Sequence, residues 1–324
     1  MPRARAQRGV ALVTAIMIVA IAAAIAAQVA FAHQIWMRQM QNASDHDATD
    51  WLRRGALHWV STALIDDAAQ GSTDHLGERW AQGLPTLPVE GGSIHVNLED
   101  AQGRFNLNNV LRNNAPSAPD IEIFRRLLTA LALQPALADA LVDWVDADGE
   151  PRPGGAEDID YLNGNPPYRT SNQRLASVEE LRLVRGFDAK TVAALAPYVT
   201  ILPVDTAINI NTAPAPVLSA LIPGLDVQSA QSIADKRLKD PFQTVEAFAK
   251  SLPQGIAMPQ QSGMMDVKSG YFLVAIDTQI GRHERRTEAL ISRSADGKGT
   301  NVVWHRMQIL QNPAQDPDAN PESS

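Results

Sequence analysis

From Val10 to Ala27 the only polar side chain is Thr14, and the apolar run continues to about Ile35 with interruptions at Gln28, His33 and Gln34. As a helix, 10–35 is roughly 39 Å long, enough to cross a bilayer. Beyond it, Ala48, Leu52, Ala56, Trp59, Val60, Ala63 and Leu64 recur at helical spacing, which gives a single apolar face. The pattern predicts one long N-terminal helix over 10–83, membrane-spanning over 10–35 and amphipathic afterwards. Gly55 weakens it locally. Trp36 and Trp51 read as interface or packing residues, and Asp45-His46-Asp47 as a solvated helix face.

The pattern then changes twice. LPTLPVEGG (84–92) reads as a turn-rich connector, and SIHVNLEDAQGRFNLNNV alternates apolar and polar residues around Asp100, Gln102 and Gly103, which predicts a hairpin. Helical periodicity follows in IEIFRRLLTALAL, ALADALVDWV, SVEELRLV, AKTVAALAPYV, APAPVLSALI, VQSAQSIADKRL and TVEAFAKSL. Ser177 followed by Glu180 has the spacing of a capping box, and Thr212 that of a helix cap. After Ser269, YFLVAIDTQI, ERRTEALISRS and TNVVWHRMQIL read as strands, with Asp296-Gly297 turning between the last two. Strands on both sides of a helical block predict an α+β domain, 84–108 with 268–311, interrupted by an all-α insert over 109–267. Residues 312–324 have no apolar periodicity and are expected to be disordered.

Composition narrows the function. The chain has 324 residues, a net charge of −8 and no cysteine. Disulfides, thiolate metal sites and a cysteine nucleophile are excluded. The acidic balance argues against phosphate backbones as the main partner. No nucleophile elbow, zinc-protease helix, phosphate loop or dinucleotide fingerprint occurs, and nothing points to an enzyme.

The most concentrated chemistry is DWVDADGEPRPGGAEDIDYLNG, which holds seven acids from Asp143 to Asp160. Glycines and prolines between them prevent a helix and let the carboxylates converge. Oxygen donors without histidine or cysteine favour Ca²⁺ over zinc. Asp146, Asp148, Glu150 and Glu157 match positions 1, 3, 5 and 12 of an EF-hand loop. Pro151 stands where that loop needs glycine, and no helix is expected after Glu157, so the reading is a calcium loop of another kind. Asp146, Asp148, Glu150, Glu157, Asp158 and Asp160 are the ligand candidates, with Asp143 and Asn172 secondary. A solvated acidic loop is the plain alternative. A Mg²⁺-dependent hydrolase lacks a lysine or histidine base nearby.

Two segments, around Gly186-Phe187-Asp188 and Gly224-Leu225-Asp226, resemble the helix-hairpin-helix motif of DNA-binding proteins. That motif ends its turn in glycine, where backbone N–H groups meet phosphate. Aspartate there repels phosphate and is placed to cap the following helix. The segments read as structural hairpins, with DNA binding as the rival.

The start of the apolar run carries a resemblance. Arg3, Arg5 and Arg8 precede it, and it begins abruptly after Arg8-Gly9. A cleaved secretory signal, with Ala22–Ala24 as its site, and a plain signal anchor are rival readings. The junction resembles that of type IV pilins and pseudopilins, in which a prepilin peptidase removes a basic leader ending in glycine. The resemblance implies cleavage between Gly9 and Val10, a leader over 1–9 and methylation of Val10. Most such proteins carry glutamate at the fifth mature position, where this chain has Thr14. With the insert and the acidic loop, that absence makes the chain similar to the minor pseudopilin K family of type II secretion. Membership implies a pilin-like fold with a calcium-binding helical insert and a non-enzymatic role at the pseudopilus tip, initiating assembly for export across the outer membrane. The implied partners are pseudopilins I and J, prepilin peptidase, the inner membrane and other secretion components, without nucleic acid. The N-terminus would be cytoplasmic and the body periplasmic.

Overall fold

The computed structural model describes residues 4–309 except Ser262 and Arg282. Met1–Arg3 of the expected leader and the tail at 312–324 lie outside the described residues. Helix α1 runs unbroken from Ala4 to Gln70, 67 residues and about 100 Å at the usual rise. The Gly9–Val10 bond is inside it. From Val10 to Met40 its large apolar side chains are exposed, and the helix is long and apolar enough to cross a membrane. It ends thirteen residues short of the expected 83. Gly71 closes the last turn on Asp67 O at 3.0 Å, and the chain bends to bury Asp74.

Five strands form one antiparallel sheet: β1 (Leu84–Val89), β2 (Gly92–Asp100), β9 (Tyr271–Ile280), β10 (His283–Arg293) and β11 (Thr300–Ile309), in that order. Phe272, Val274, Ile276, Thr278 and Ile280 of β9 are all buried, the period of two that the sequence shows. Phe272, Val274 and Ile276 share a core with Ala56, Val60 and Leu64 of α1, which also includes Val96, Ile291 and Trp80. Segment 84–89 is a strand, not a connector. Its Pro85 and Pro88 sit on an edge strand, where a missing N–H costs no ladder bond.

Between β2 and β9 the chain leaves for the insert. Its helices are α2 (Ala118–Ala130), α3 (Leu137–Val145), α4 (Asp158–Leu162), α5 (Ala189–Leu195), α6 (Ala215–Leu221), α7 (Val227–Arg237) and α8 (Val245–Ala249). They surround a core of their own that includes Phe105, Phe124, Leu141, Leu218 and Phe248. The insert is not purely helical. Two-residue strands β3 (Phe105–Asn106) and β6 (Val199–Thr200) pair in parallel, as do β7 (Ile208–Asn209) and β8 (Met265–Asp266), while β4 (Leu111–Arg112) and β5 (Ala115–Pro116) pair antiparallel.

The expected hairpin through 93–110 does not form. The reason lies in Asn106, Asn108 and Asn109, which alternation marks as surface positions but which are buried. Asn106 Oδ1 accepts from Asn108 N and Leu202 N, both at 3.1 Å, and Asn108 Nδ2 donates to Leu175 O and Leu202 O. Two local caps also differ. Ser177 makes no side-chain cap, and Val178–Leu183 is a 3₁₀ turn. Glu180 instead accepts from Trp144 Nε1 at 3.0 Å. Thr212 donates to Asp100 Oδ2 at 2.6 Å, and Pro214 precedes α6.

The two cores meet at a buried polar junction. Arg293 Nη2 donates to both oxygens of Asp74 at 2.6 Å and to Ser269 O at 2.8 Å, and its Nη1 reaches Asp67 Oδ2 at 3.1 Å. Its guanidinium lies 5.0 Å from the Phe272 ring centre. Asn209 Nδ2 bridges Asp74 O, Asp100 Oδ2 and Ser269 Oγ at 2.9–3.0 Å. Burial pushes Asp67 up to about 7, with Glu78 and Asp74 adding in the same direction and Arg293 opposing. The junction lies where α1 ends, at the opposite end of the sheet from Gly281 and His283, which sit beside Asp45 and Asn42. The insert therefore leaves and returns at the membrane-distal end.

Arg293→Ala strands the Asp74 carboxylate in the interior and is expected to destabilise the protein by about 3–5 kcal/mol. Urea unfolding measures it. A loss below about 1 kcal/mol, the value of an exposed pair, would contradict this account of the junction.

Candidate metal centre

Helix α3 buries almost its whole length, and it carries Asp143 inward at 0 % exposure. The helix stops at Asp146, whose extended backbone starts the acidic loop and whose side chain stays 4 % exposed. The loop returns at Glu157, 6 % exposed. One oxygen each from Asp146, Asp148 and Glu157 lies within 4.8 Å of the others. Asp143 stands beside them. Its Oδ2 accepts from Arg152 N at 2.9 Å, and Arg152 Nε is 3.4 Å from its Oδ1. A Cβ on Gly155 would fall 1.8 Å from Asp143 Oδ2, so only glycine lets the loop pass this carboxylate.

The oxygens are poorly satisfied. Asp143 Oδ1, Asp146 Oδ1 and Glu157 Oε1 are buried without a hydrogen-bond partner, an arrangement that costs free energy unless something neutralises it. The protonation equilibria show the same strain. Burial first, then Asp148 and Asp143, raise Asp146 to about 6. Burial, then Asp143, Asp146 and Asp148, raise Glu157 to about 7. Burial also raises Asp143. One cation, Arg152, faces several acids, at 3.7 Å from Asp146. Converging hard oxygens with orphaned lone pairs fit a divalent cation of the calcium type. They hold no imidazole or thiolate that would select zinc.

Of the candidates read from sequence, Asp146, Asp148 and Glu157 are gathered here, together with the secondary candidate Asp143. Glu150 is exposed, and its N–H donates to Asp148 Oδ1 at 3.0 Å. Asp158 has both oxygens engaged, by Thr170 N and Oγ1 and by Arg169, and the Thr170 hydroxyl, the largest cause, lowers its pKa. Asp160 closes a capping box with Glu157 and lies 3.4 Å from Arg185. Asn172 contributes its backbone N–H to Trp144 O. The expectation that no helix follows Glu157 is corrected, because Glu157 caps the five-residue α4. The sequence signal for it was present in Asp160, three residues after the cap.

The two hairpins carry no comparable site. Gly186 and Gly224 adopt φ of +86° and +79°. Asp188 and Asp226 then cap α5 and α7, accepting from Thr191 N at 2.7 Å and Ser229 N at 2.8 Å. Each helix N-terminus that could meet a phosphate already holds its own carboxylate.

Two family models, both described as type II secretion system (T2SS), protein K, match residues 103–204 and 208–268. The chain is 34 % identical over 309 residues to type II secretion system protein K of Pseudomonas aeruginosa, covering 91 % of each chain. Its counterpart from Aeromonas hydrophila is 32 % identical over 320 residues, covering 92 % of this chain and 96 % of that one. Among solved structures it is similar to a chain of the GspK–GspI–GspJ complex from the enterotoxigenic Escherichia coli type 2 secretion system. That match has a TM-score of 0.70 at 25 % identity and covers 85 % of this chain and all of that one.

The raised carboxylates give a signed pH dependence. Without metal, the folded protein retains protons on Asp146 and Glu157 above pH 4.5 that the unfolded chain has released. These groups therefore cost stability as pH rises from about 4.5 to about 7. In chelator, Glu157→Gln should show a smaller loss of melting temperature between pH 5 and pH 8 than wild type. Calcium should stabilise wild type at pH 8 and Glu157→Gln much less. Equal slopes and equal calcium responses would remove the metal-centre reading.

Proposed function

The chain belongs to the type II secretion system protein K family, and on that premise we propose that it is a minor pseudopilin that caps the tip of a pseudopilus. The supporting observation is the match, over 85 % of this chain and all of the other, to a chain of the complex with GspI and GspJ. On this reading the chain assembles with the corresponding pseudopilins I and J through the exposed stretch of α1. It starts or orients filament assembly for protein export, and turns over no substrate.

Two features of this chain support a terminal position. The insert joins the sheet at the membrane-distal end, beyond the end of α1, where a subunit added above would have to stack. Thr14 Oγ1 is satisfied within its own helix, at 3.0 Å from both Val10 O and Ala11 O. A glutamate there would need a partner, such as the N-terminal amine of a neighbour, because a lone carboxylate in apolar surroundings is expensive. A subunit with none above it has no such need.

Calcium fits the role as a structural staple. Asp146, Asp148 and Glu157 would hold it, with Asp143 adjacent, and the ion would pin the 146–157 loop between α3 and α4. It supplies charge neutralisation and no catalytic step. Before assembly, α1 would sit in the inner membrane with the arginine-rich end cytoplasmic and the body periplasmic, after prepilin peptidase has cut between Gly9 and Val10.

Intact mass of the chain made with and without prepilin peptidase tests the pilin-like part. The expected product starts at methylated Val10 only when the peptidase is present. A retained leader, or a cut beyond Ala24, would contradict it. Co-elution of the full chain in detergent with pseudopilins I and J tests the assembly. A stable ternary complex is expected, and separate elution of all three at micromolar concentration would count against the tip reading.

A further inference from the structure

We propose, on the reading of the acidic cluster as a calcium centre, that Arg152 competes with the divalent cation for the Asp143 and Asp146 carboxylates. This arginine, and not the acids alone, then sets how tightly the centre holds its ion. Four carboxylates gather here, from Asp143, Asp146, Asp148 and Glu157. Among the described residues, Arg152 is the one cation paired with any of them. Fully ionised, the acids outnumber it four to one.

The guanidinium faces these oxygens without bonding them well. Arg152 Nε lies 3.4 Å from Asp143 Oδ1, and Nη2 lies 3.7 Å from Asp146 Oδ2. A charge-assisted hydrogen bond closes to about 2.7–2.9 Å. Arg152 Nε and Asp143 Oδ1 are both buried without a hydrogen-bond partner, although they are neighbours. Asp146 Oδ1 and Glu157 Oε1 also keep their lone pairs free. Arg152 thus offsets charge but leaves oxygens unsatisfied. A calcium ion does both, because it draws its oxygens to about 2.3–2.6 Å. Opposite ligands of one such ion stand about 5 Å apart, and the oxygens of Asp146, Asp148 and Glu157 lie within 4.8 Å of one another.

The side chain is free to leave while the loop stays folded. The backbone N–H of Arg152 donates to Asp143 Oδ2 at 2.9 Å, and its carbonyl accepts from Gly155 N at 3.0 Å. Pro151 and Pro153 flank it and restrict the backbone on either side. The side chain is 31 % exposed, so rotation about its own bonds carries the guanidinium from the carboxylates into water. Like charges held at the same two carboxylates repel, which drives that rotation when a cation enters. The affinity of an oxygen site follows the charge of its ligands, so an arginine among them weakens calcium binding. It also keeps the loop closed on α3 when no ion is bound.

The test uses the full chain in detergent, with Ca²⁺ titrated calorimetrically into wild type and Arg152→Gln. Arg182→Gln, at an exposed arginine elsewhere on the insert, controls for lost surface charge. Arg152→Gln is expected to bind at least about fivefold more tightly than wild type, and Arg182→Gln like wild type. In chelator Arg152→Gln should melt below wild type, and in saturating calcium level with it, whereas a merely structural role would lower both. Displacement is read in wild type. An arginine-selective dicarbonyl, followed by mass spectrometry, should modify Arg152 several times faster in calcium than in chelator. The labelling needs no variant and decides the question if Arg152→Gln fails to fold. Unchanged affinity in Arg152→Gln, or an Arg152 reactivity indifferent to calcium, would overturn the proposal and leave the metal centre standing. Absence of calcium binding in both proteins would remove the metal centre and the proposal with it. Binding by Arg152→Gln alone would be the same competition carried to completion.

Discussion

The architecture depends on one buried ion pair. Arg293 and Asp74 meet where five separate stretches of chain cross: the end of α1, the loop after it, the end of β2, the return from the insert at Ser269 and the end of β10. An insert spanning most of 100–270 can be held in one orientation only if its two connections are tied to the sheet. Arg293 does this with multiple donors, and Asn209 with three acceptors. Apolar packing at this point would be as favourable per unit area but would not specify direction, whereas hydrogen bonds at 2.6–3.0 Å do.

That division explains why the protein has two main cores. One is sheet against helix, around Val60, Leu64, Phe272 and Ile276. The other belongs to the insert, around Phe105, Phe124, Leu141 and Phe248. Beside the polar junction, the described residues place a small apolar cluster of Ala101, Leu202 and Leu290 between them. The insert is thus a head with its own interior, carried at the far end of a rod that is anchored at the other.

The acidic loop shows how a fold concentrates charge. Asp143 is held inward by a helix that buries both of its flanks, and Gly155 lets the returning chain touch it. Glu157 has two roles at once, capping α4 and adding an oxygen to the cluster. The loop therefore ties the carboxylate cluster to the placement of α4. The same short helix presents Ile159 outward.

The N-terminal helix, the three C-terminal strands and the acidic loop were legible in the sequence, because each rests on a local signal. An apolar run, a period of two and a density of carboxylates need no distant partner to be recognised. The aspartate caps at 188 and 226 were legible for the same reason. The tertiary structure decided the rest. Asn106, Asn108, Asn109 and Asn209 look like surface residues until distant backbone groups arrive to bond them, which turned an expected hairpin into the entry of the insert. Within the loop, composition marked seven acids, but only the packing of α3 and the cap of α4 separated the group formed by Asp143, Asp146, Asp148 and Glu157 from Asp158 and Asp160, which are more exposed and pair with the exposed Arg169 and Arg185. Sequence records which side chains carry charge, while desolvation and the identity of the nearest donor, both properties of the folded chain, decide what each charge does.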